Sequence, residues 1–111
     1  EKKYSFLLEE GFAFYVDEST FFKVDFYDKA RTILANDRYR ISNIIKENTN
    51  DNYEIKAVVC GAFVKYLVTV YGVDKFAILW KNIENNSIFN STFNKSLPDL
   101  EIEFYKFLEK K

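Results

Sequence analysis

The 111-residue sequence contains no histidine, a single cysteine and no apolar run long enough to cross a membrane. Without histidine, this chain alone cannot form a Ser-His or Cys-His nucleophile pair, an imidazole base or a His-ligated metal cluster. Cys60 has no second cysteine for an internal disulfide, and its apolar neighbours in AVVCGAFV predict a buried, unreactive thiol. Because a bilayer span needs about 18 consecutive apolar residues, we expect no membrane span in this chain.

An excess of charge of one sign is also missing. The 16 Lys and Arg residues are scattered among 17 Asp and Glu residues, which gives a formal net charge of −1. The basic stripe that phosphate binding requires is therefore absent, and we do not expect a nucleic-acid partner. The sequence also has no CxxC pair and no glycine-rich phosphate loop. It starts at Glu1 without an initiator Met, which we interpret as a processed product or an excised piece of a longer protein.

What the sequence does contain is apolar and helical in pattern. Hydrophobic residues make up 48% and aromatic residues 19% of the chain, so we expect one compact globular domain over residues 1–111. Three glycines and one proline interrupt it, and most apolar residues recur at helical spacing. The predicted fold class is all-α, a bundle of about five to seven helices around a central apolar helix at about 51–71.

The pattern also predicts where the helices lie. Helices are expected at about 4–17, 26–36, 41–47, 51–71, 74–83, 88–93 and 97–110. Gly72 should end the central helix as a C′ residue, and Ser96-Leu-Pro-Asp99 is typical of a capping box with proline in the first turn. The stretch STFFKVDF at 19–26 alternates loosely and could be a short strand, but we interpret it as a connector.

Helical spacing assigns inward and outward faces. In the first helix the predicted inward residues are Leu8, Phe12, Tyr15 and Val16. In the central helix they are Ile55, Val59, Ala62, Phe63, Tyr66, Leu67 and Val70, with Val58, Val64 and Val68 making the other faces apolar too. In the fifth helix they are Phe76, Leu79, Trp80 and Ile83. In the last helix Leu97, Leu100, Phe104 and Leu108 should face inward, whereas Glu101, Glu103, Lys106 and Glu109 should face water.

Two carboxylates, Glu9 and Glu10, interrupt the apolar first helix beside a glycine. Adjacent residues on a helix point about 100° apart, so this pair cannot converge on one point as acid–base catalysis requires. The residues three and four positions from Glu10 are mostly apolar and include no Lys or Arg. Either this face is solvated, or a metal ion or a partner from elsewhere in the chain compensates Glu10. Gly11, in mid-helix, indicates close approach of another element.

Three segments, in order along the chain, resemble one protein family. EGFAFYVDE at 10–18 resembles the EGxAxYxxE segment of the gluzincin metallopeptidases. CGAFVKYLVTVYGVDKFAILWK at 60–81 is similar to the AGSFVxYLxxxYGxxKLxxLW stretch of bacterial peptidase-MA-like proteins. FNSTFNKSLPDLEIEFYKFL at 89–108 is similar to their closing helix, FxxAFGxSLxxLExEWxxFL.

The resemblance implies a role for Glu10. In these enzymes two histidines of an upstream HExxH helix bind zinc, and the glutamate of the EG pair supplies the third protein ligand. Carried over, that glutamate is Glu10, while HExxH would lie before Glu1 in an upstream segment of the same protein. The implied activity of the parent protein is hydrolysis of a peptide bond by zinc-activated water. The chain alone should hold no zinc or other cofactor, contain no catalytic residue and lack peptidase activity.

The sequence departs from the family pattern in two further places. Glu9 stands where the family commonly has asparagine. Aminopeptidase-type members also carry a tyrosine that donates a hydrogen bond to the reaction's oxyanion, and here that position falls at Ala57 or Val58. The nearest tyrosine is Tyr53, about one helical turn earlier. A weakened or inactive member is therefore one alternative.

Two functional hypotheses follow. In the first, the chain is the C-terminal helical subdomain of a zinc metallopeptidase that acts on peptides or proteins, and it supplies Glu10 and one wall of the cleft. In the second, it is a non-catalytic helical module for binding or interaction. An HExxH motif upstream of Glu1 would favour the first hypothesis, and its absence would favour the second.

Overall fold

The structure, a computed structural model, describes residues 3–18, 25–47 and 51–110. These residues form seven α-helices and no strand, as the sequence predicts for an all-α bundle. The helices are α1 (Gly11–Asp17), α2 (Phe26–Ile33), α3 (Ile41–Glu47), α4 (Tyr53–Tyr71), α5 (Val73–Lys81), α6 (Ile88–Phe93) and α7 (Leu97–Glu109). A π-helical stretch, Phe6–Glu10, leads directly into α1, and a 3-10 turn, Asp37–Tyr39, precedes α3. Residues 19–24 of the predicted connector lie outside the described residues, and its last two residues, Asp25 and Phe26, cap and begin α2.

Helix α4 is the centre of the bundle, as predicted. Every residue from 56 to 64 is buried, and α1, α2, α3, α5 and the π-helical stretch all pack against it. Gly72 adopts a positive φ of 94° and ends the helix. The inward orientation predicted for Ile55 and Val70 is wrong: their exposed fractions are 38% and 48%. Both lie in the outer turns of α4, whereas the neighbouring helices cover its middle.

Helices α1 and α4 approach each other closely at Gly11. A Cβ atom built on Gly11 would lie 2.7 Å from the carbonyl oxygen of Cys60 and 2.9 Å from Cγ2 of Val64. The predicted close approach is therefore confirmed, and the missing side chain is what permits it. Cys60 itself is fully buried beneath this crossing, as its apolar neighbours predict.

Gly11 also fixes which side of α1 faces α4. Leu7 and Leu8 in the preceding turn are fully buried, whereas Val16, predicted to face inward, is 52% exposed. Val16 follows Gly11 by five residues and so lies about 140° around the helix from the contact with α4. The continuous helix predicted from residue 4 is present, but Phe6–Glu10 has π-helical rather than α-helical hydrogen bonding.

Two further expectations need correction. Helix α2 ends at Ile33 rather than at 36, because the Asn36 side chain accepts a hydrogen bond from the backbone N–H of Arg38 and starts the next turn. Trp80, predicted to face inward, is 43% exposed. It lies at the edge of the bundle, where its ring packs 5.3 Å from that of Phe12. The predicted α6 and the Ser96 cap of α7 are present as expected.

The acidic face predicted for α7 is only partly in water. Glu101 is buried, with an exposed fraction of 6%, and Glu103 is half-buried. The carboxylate of Glu103 accepts hydrogen bonds from the hydroxyls of Tyr66 and Tyr71 and from the ammonium of Lys95. The predicted solvent orientation of both glutamates is therefore wrong, because α4 and α3 bring hydrogen-bond donors to this side of α7.

We expect Gly11→Ala to destabilise the fold by about 2 kcal/mol, because the new methyl group would overlap backbone atoms of α4 that cannot move independently. Gly61→Ala is the comparison variant and should destabilise less, because its Cβ would meet side-chain rather than backbone atoms and would lie 3.0 Å from the Phe26 ring and 3.1 Å from Cβ of Phe14. Urea unfolding of both variants measures the difference. Equal stability of Gly11→Ala and the unmodified chain would contradict the close crossing.

We expect Glu103→Gln to destabilise the chain at neutral pH by about 1–2 kcal/mol, because two tyrosine hydroxyls lose a charged acceptor. Burial raises the pKa of Glu103, but Lys95, Tyr71 and Tyr66 together hold that pKa below its usual value of 4.5. The stabilisation is therefore present above about pH 4.5 and is lost as the pH falls through the folded-state pKa.

Urea unfolding of Glu103→Gln at pH 7 and pH 3 tests this sign. The difference from the unmodified chain should shrink at the lower pH. The exposed Glu109 on the same helix provides the control, because Glu109→Gln should change stability little at either pH. A Glu103→Gln deficit that grows on acidification would rule out the ion-paired network.

Candidate metal-ligand site around Glu10

Glu10 lies where the π-helical stretch passes into α1, beside the residue that contacts α4. It precedes Gly11 by one position and so lies about 100° around the helix from the α1–α4 contact. Its side chain is half-buried, whereas that of Glu9 is exposed. Of the two adjacent carboxylates, Glu10 is therefore the one placed at the border between the bundle and solvent, and Glu9 belongs to the polar surface.

The partner of Glu10 comes from the first turn of α4. The Tyr53 hydroxyl donates a hydrogen bond to Oε1 of Glu10, a contact that joins residues 43 positions apart. The rings of Phe6 and Phe14 meet the Tyr53 ring edge-on, with centroid separations of 5.8 and 6.0 Å. Phe6 and Phe14 thus pack against the Tyr53 ring, and the Tyr53 hydroxyl in turn orients one carboxylate oxygen of Glu10.

The hydrogen bond changes the acidity of Tyr53. It stabilises the protonated phenol and, with partial burial and the charges of Glu10 and Glu54, raises the pKa of Tyr53 from 10.0 to about 12. Tyr53 is consequently a hydrogen-bond donor at neutral pH and not a phenolate base. No described Lys or Arg forms a salt bridge with Glu10, so a neutral donor is its protein partner in this part of the chain.

A second charged group lies further along α4. Lys56 is fully buried, and its ammonium is 3.4 Å from a carboxylate oxygen of Glu47 at the end of α3. Burial raises the pKa of the Cys60 thiol; the charge of Glu10 raises it further, and that of Lys56 opposes the rise. Cys60 therefore stays protonated and is unsuited to act as a nucleophile.

Sequence reasoning identified Glu10 and Gly11 but did not identify the Tyr53 contact or the buried Lys56. The two positions where the family pattern expects a tyrosine, Ala57 and Val58, are buried in α4. Tyr53 occupies the preceding turn and turns its hydroxyl to Glu10. A single signal was available in the sequence, the lone lysine in the otherwise apolar stretch 55–64.

The chemistry of this site is that of one oriented carboxylate. A glutamate oxygen is a suitable zinc ligand, and hydrogen-bonded carboxylates are common in zinc sites. Among residues 3–18, 25–47 and 51–110, no three His, Cys, Asp or Glu side chains are grouped so that they could hold a metal ion. A metal role for Glu10 thus stays a prediction.

Comparisons of the chain with known protein families, curated proteins and solved structures find no match. The family relationship thus stays a prediction from the three resembling segments. Within the described ranges, none of the helices combines the length and apolar character needed to cross a membrane.

We expect Glu10→Gln to lower the pKa of Tyr53 from about 12 toward its usual value of 10.0, because the charged acceptor is removed. NMR of tyrosine labelled with ¹³C at Cζ can follow Tyr53 separately, with Tyr53→Phe assigning its signal. Because the pKa is raised in the folded state, the stabilisation is present below about pH 10 and is lost as the pH rises through about 12. The Glu9→Gln variant should leave the Tyr53 titration unchanged, and an equal shift in both variants would contradict the contact.

Proposed function

We propose that this chain is the C-terminal helical subdomain of a gluzincin-type zinc metallopeptidase and that Glu10 is the third protein ligand of its zinc ion. In this proposal the two histidine ligands and the general base belong to an HExxH helix upstream of Glu1. The chain contributes Glu10 and one wall of the cleft, and the substrate of the parent protein is a peptide or protein.

The packing of the three resembling segments supports the proposal. The first segment forms α1, which crosses α4 at the beginning of the second segment. The third segment forms α7, whose Phe104 ring lies 5.3 Å from the Phe63 ring of α4. Segments that are separated in the sequence therefore form one packed unit around α4, as expected if they are parts of one ancestral fold.

The observation that carries the proposal is the state of the Glu10 carboxylate. It is half-buried at the edge of the bundle, it has no cationic partner among the described residues, and Tyr53 holds one of its oxygens. Partly burying an ionised carboxylate without a cation is unfavourable, and a bound metal ion would compensate that cost.

When bound, zinc would supply a Lewis acid that activates water at neutral pH. The chain's own residues would perform the supporting work. Glu10 would bind through its carboxylate, and the Tyr53 hydroxyl would keep that carboxylate in one orientation, as outer hydrogen-bond partners of metal ligands commonly do. The Gly11 contact would fix the backbone beside the ligand, and the buried residues of α4 would exclude water from behind it.

A second candidate is an inactive metallopeptidase relative that binds zinc but does not hydrolyse peptides. One observation favours it. Neither Ala57 nor Val58 carries a hydroxyl, and the hydroxyl of Tyr53 is engaged with Glu10. An oxyanion donor at the expected place in α4 is therefore missing. Removing one such donor costs roughly 100- to 1,000-fold in kcat, so the parent protein would bind zinc and hydrolyse peptides slowly or not at all.

The test uses the full-length protein, including any residues that precede Glu1. We expect it to contain an HExxH motif, to bind about one zinc ion per chain, and to lose affinity for zinc at least about 100-fold in Glu10→Gln. The number of zinc ions per chain is measured as the zinc content after dialysis against a chelator buffer. The affinity is measured as the dissociation constant for zinc in a competition experiment.

Glu9→Gln is the matched control, because Glu9 is adjacent, carries the same charge and is exposed. It should retain the zinc affinity of the unmodified protein. A full-length protein without HExxH, or a Glu10→Gln variant with unchanged zinc affinity, would overturn the ligand assignment. Zinc binding without peptide hydrolysis would favour the inactive relative. Chelator-sensitive hydrolysis by residues 1–111 alone would contradict the proposal that the two histidine ligands and the general base lie upstream of Glu1.

A further inference from the structure

An open pocket of about 410 Å³ lies on the side of the bundle where the start of the chain, α3 and α7 meet. Its walls are mostly apolar and are formed by Tyr4, Ile45, Leu97 and Pro98. The volume lies within the range of small-molecule sites, in which apolar walls surround a few polar groups. Neither Glu10 nor Tyr53 lines it, so the pocket is separate from the candidate metal-ligand site.

Glu101 is the acidic group of this pocket. Only 6% of its surface is exposed, although it carries a carboxylate. Its Oε2 atom accepts hydrogen bonds from the Ser42 backbone N–H at 3.2 Å, from the Ser42 hydroxyl at 3.3 Å and from the Tyr105 hydroxyl. These three donors fix the carboxylate firmly, and the Ser42 amide ties it to the first turn of α3.

The other oxygen of Glu101, Oε1, has no hydrogen-bond partner among residues 3–18, 25–47 and 51–110. No described residue donates a hydrogen bond to it, and no described Lys or Arg forms a salt bridge with Glu101. Glu101 lines the pocket and is the one carboxylate among its lining residues.

A nearly buried, fixed carboxylate beside apolar walls has the chemistry to recognise a cation with an apolar body. A carboxylate is an acceptor only, so a ligand must bring hydrogen donors, and an ammonium brings three together with the opposite charge. An alkyl chain attached to that ammonium would bury against the walls. We propose that this pocket binds a primary alkylammonium group, with its nitrogen at Oε1 of Glu101 and its chain against Tyr4, Ile45 and Leu97.

Two lysines, Lys3 and Lys46, also line the pocket and would oppose a cation. Both are exposed, so solvent and salt screen their charges more than that of the nearly buried Glu101. A site governed by these lysines would instead prefer an anionic ligand. If Glu101 governs the site, a cationic ligand should bind more tightly than an anionic ligand of the same length. If the lysines govern it, the order should be reversed.

The experiment uses three probes of the same chain length: n-hexylamine, n-hexanol and hexanoate. Amide NMR shifts of Ser42, Ile45 and Leu97 are followed at neutral pH as each probe is added to the 111-residue chain. We expect hexylamine to bind with a dissociation constant on the order of 1–10 mM, and hexanol and hexanoate at least about 10-fold more weakly.

Glu101→Gln should weaken hexylamine binding at least about 10-fold while its amide oxygen still accepts from Ser42, which protects the fold. Ile45→Trp, which fills the pocket and leaves the Glu101 hydrogen bonds in place, should weaken it similarly. Glu109→Gln removes an exposed charge from the same helix and should leave binding unchanged. Stronger binding of hexanoate, equal binding by Glu101→Gln, or no shift with hexylamine would overturn the proposal.

Discussion

The contact between Gly11 and the backbone of α4 is the constraint on which the rest of the arrangement depends. Because a side chain at this position would overlap the carbonyl oxygen of Cys60, only glycine lets α1 lie so close to α4. Once Gly11 faces α4, helical geometry fixes its neighbours. Glu9 faces solvent, and Glu10 reaches Tyr53 at the flank. Glu18, nearly two turns later, returns to the α4 side, where its carboxylate lies 2.9 Å from the ammonium of Lys65.

Tyrosine hydroxyls are the shared means by which this chain accommodates partly buried glutamates. Tyr53 donates to Glu10, Tyr105 donates to Glu101, and Tyr66 and Tyr71 donate to Glu103. A phenol can satisfy an oxygen at the border of an apolar core without bringing a second charge that must also be desolvated. Burial and these hydrogen bonds raise the pKa values of Tyr66 and Tyr105, so both stay protonated donors at neutral pH. The high aromatic content thus serves polar groups as well as the core.

Local rules predicted the elements of this fold well, because capping and periodicity are properties of neighbouring residues. The Ser96 cap, the Gly72 stop and the apolar α4 all follow from such rules. Long-range partners could not be predicted in the same way. The periodicity of α7 alone predicts that Glu101 faces water. The prediction is wrong because α3 packs there and its Ser42 amide donates a hydrogen bond to Glu101. The Tyr53–Glu10 contact likewise depends on how α1 crosses α4, which no local pattern encodes.

The three glutamates differ in how completely the described residues satisfy them. Glu103 receives two hydroxyls and the Lys95 ammonium, so its charge is balanced within the fold. Among the described residues, Glu101 receives three donors on one oxygen and none on the other, and no Lys or Arg forms a salt bridge with it. Glu10 receives a single neutral donor at the edge of the bundle. Because desolvating a carboxylate is costly, a cationic ligand would stabilise these two carboxylates, which is the premise of the two proposals made for them. A network that already balances its charge gains little from a ligand, whereas a fixed and underbalanced carboxylate gains much, so recognition is expected at Glu10 and Glu101 rather than at Glu103.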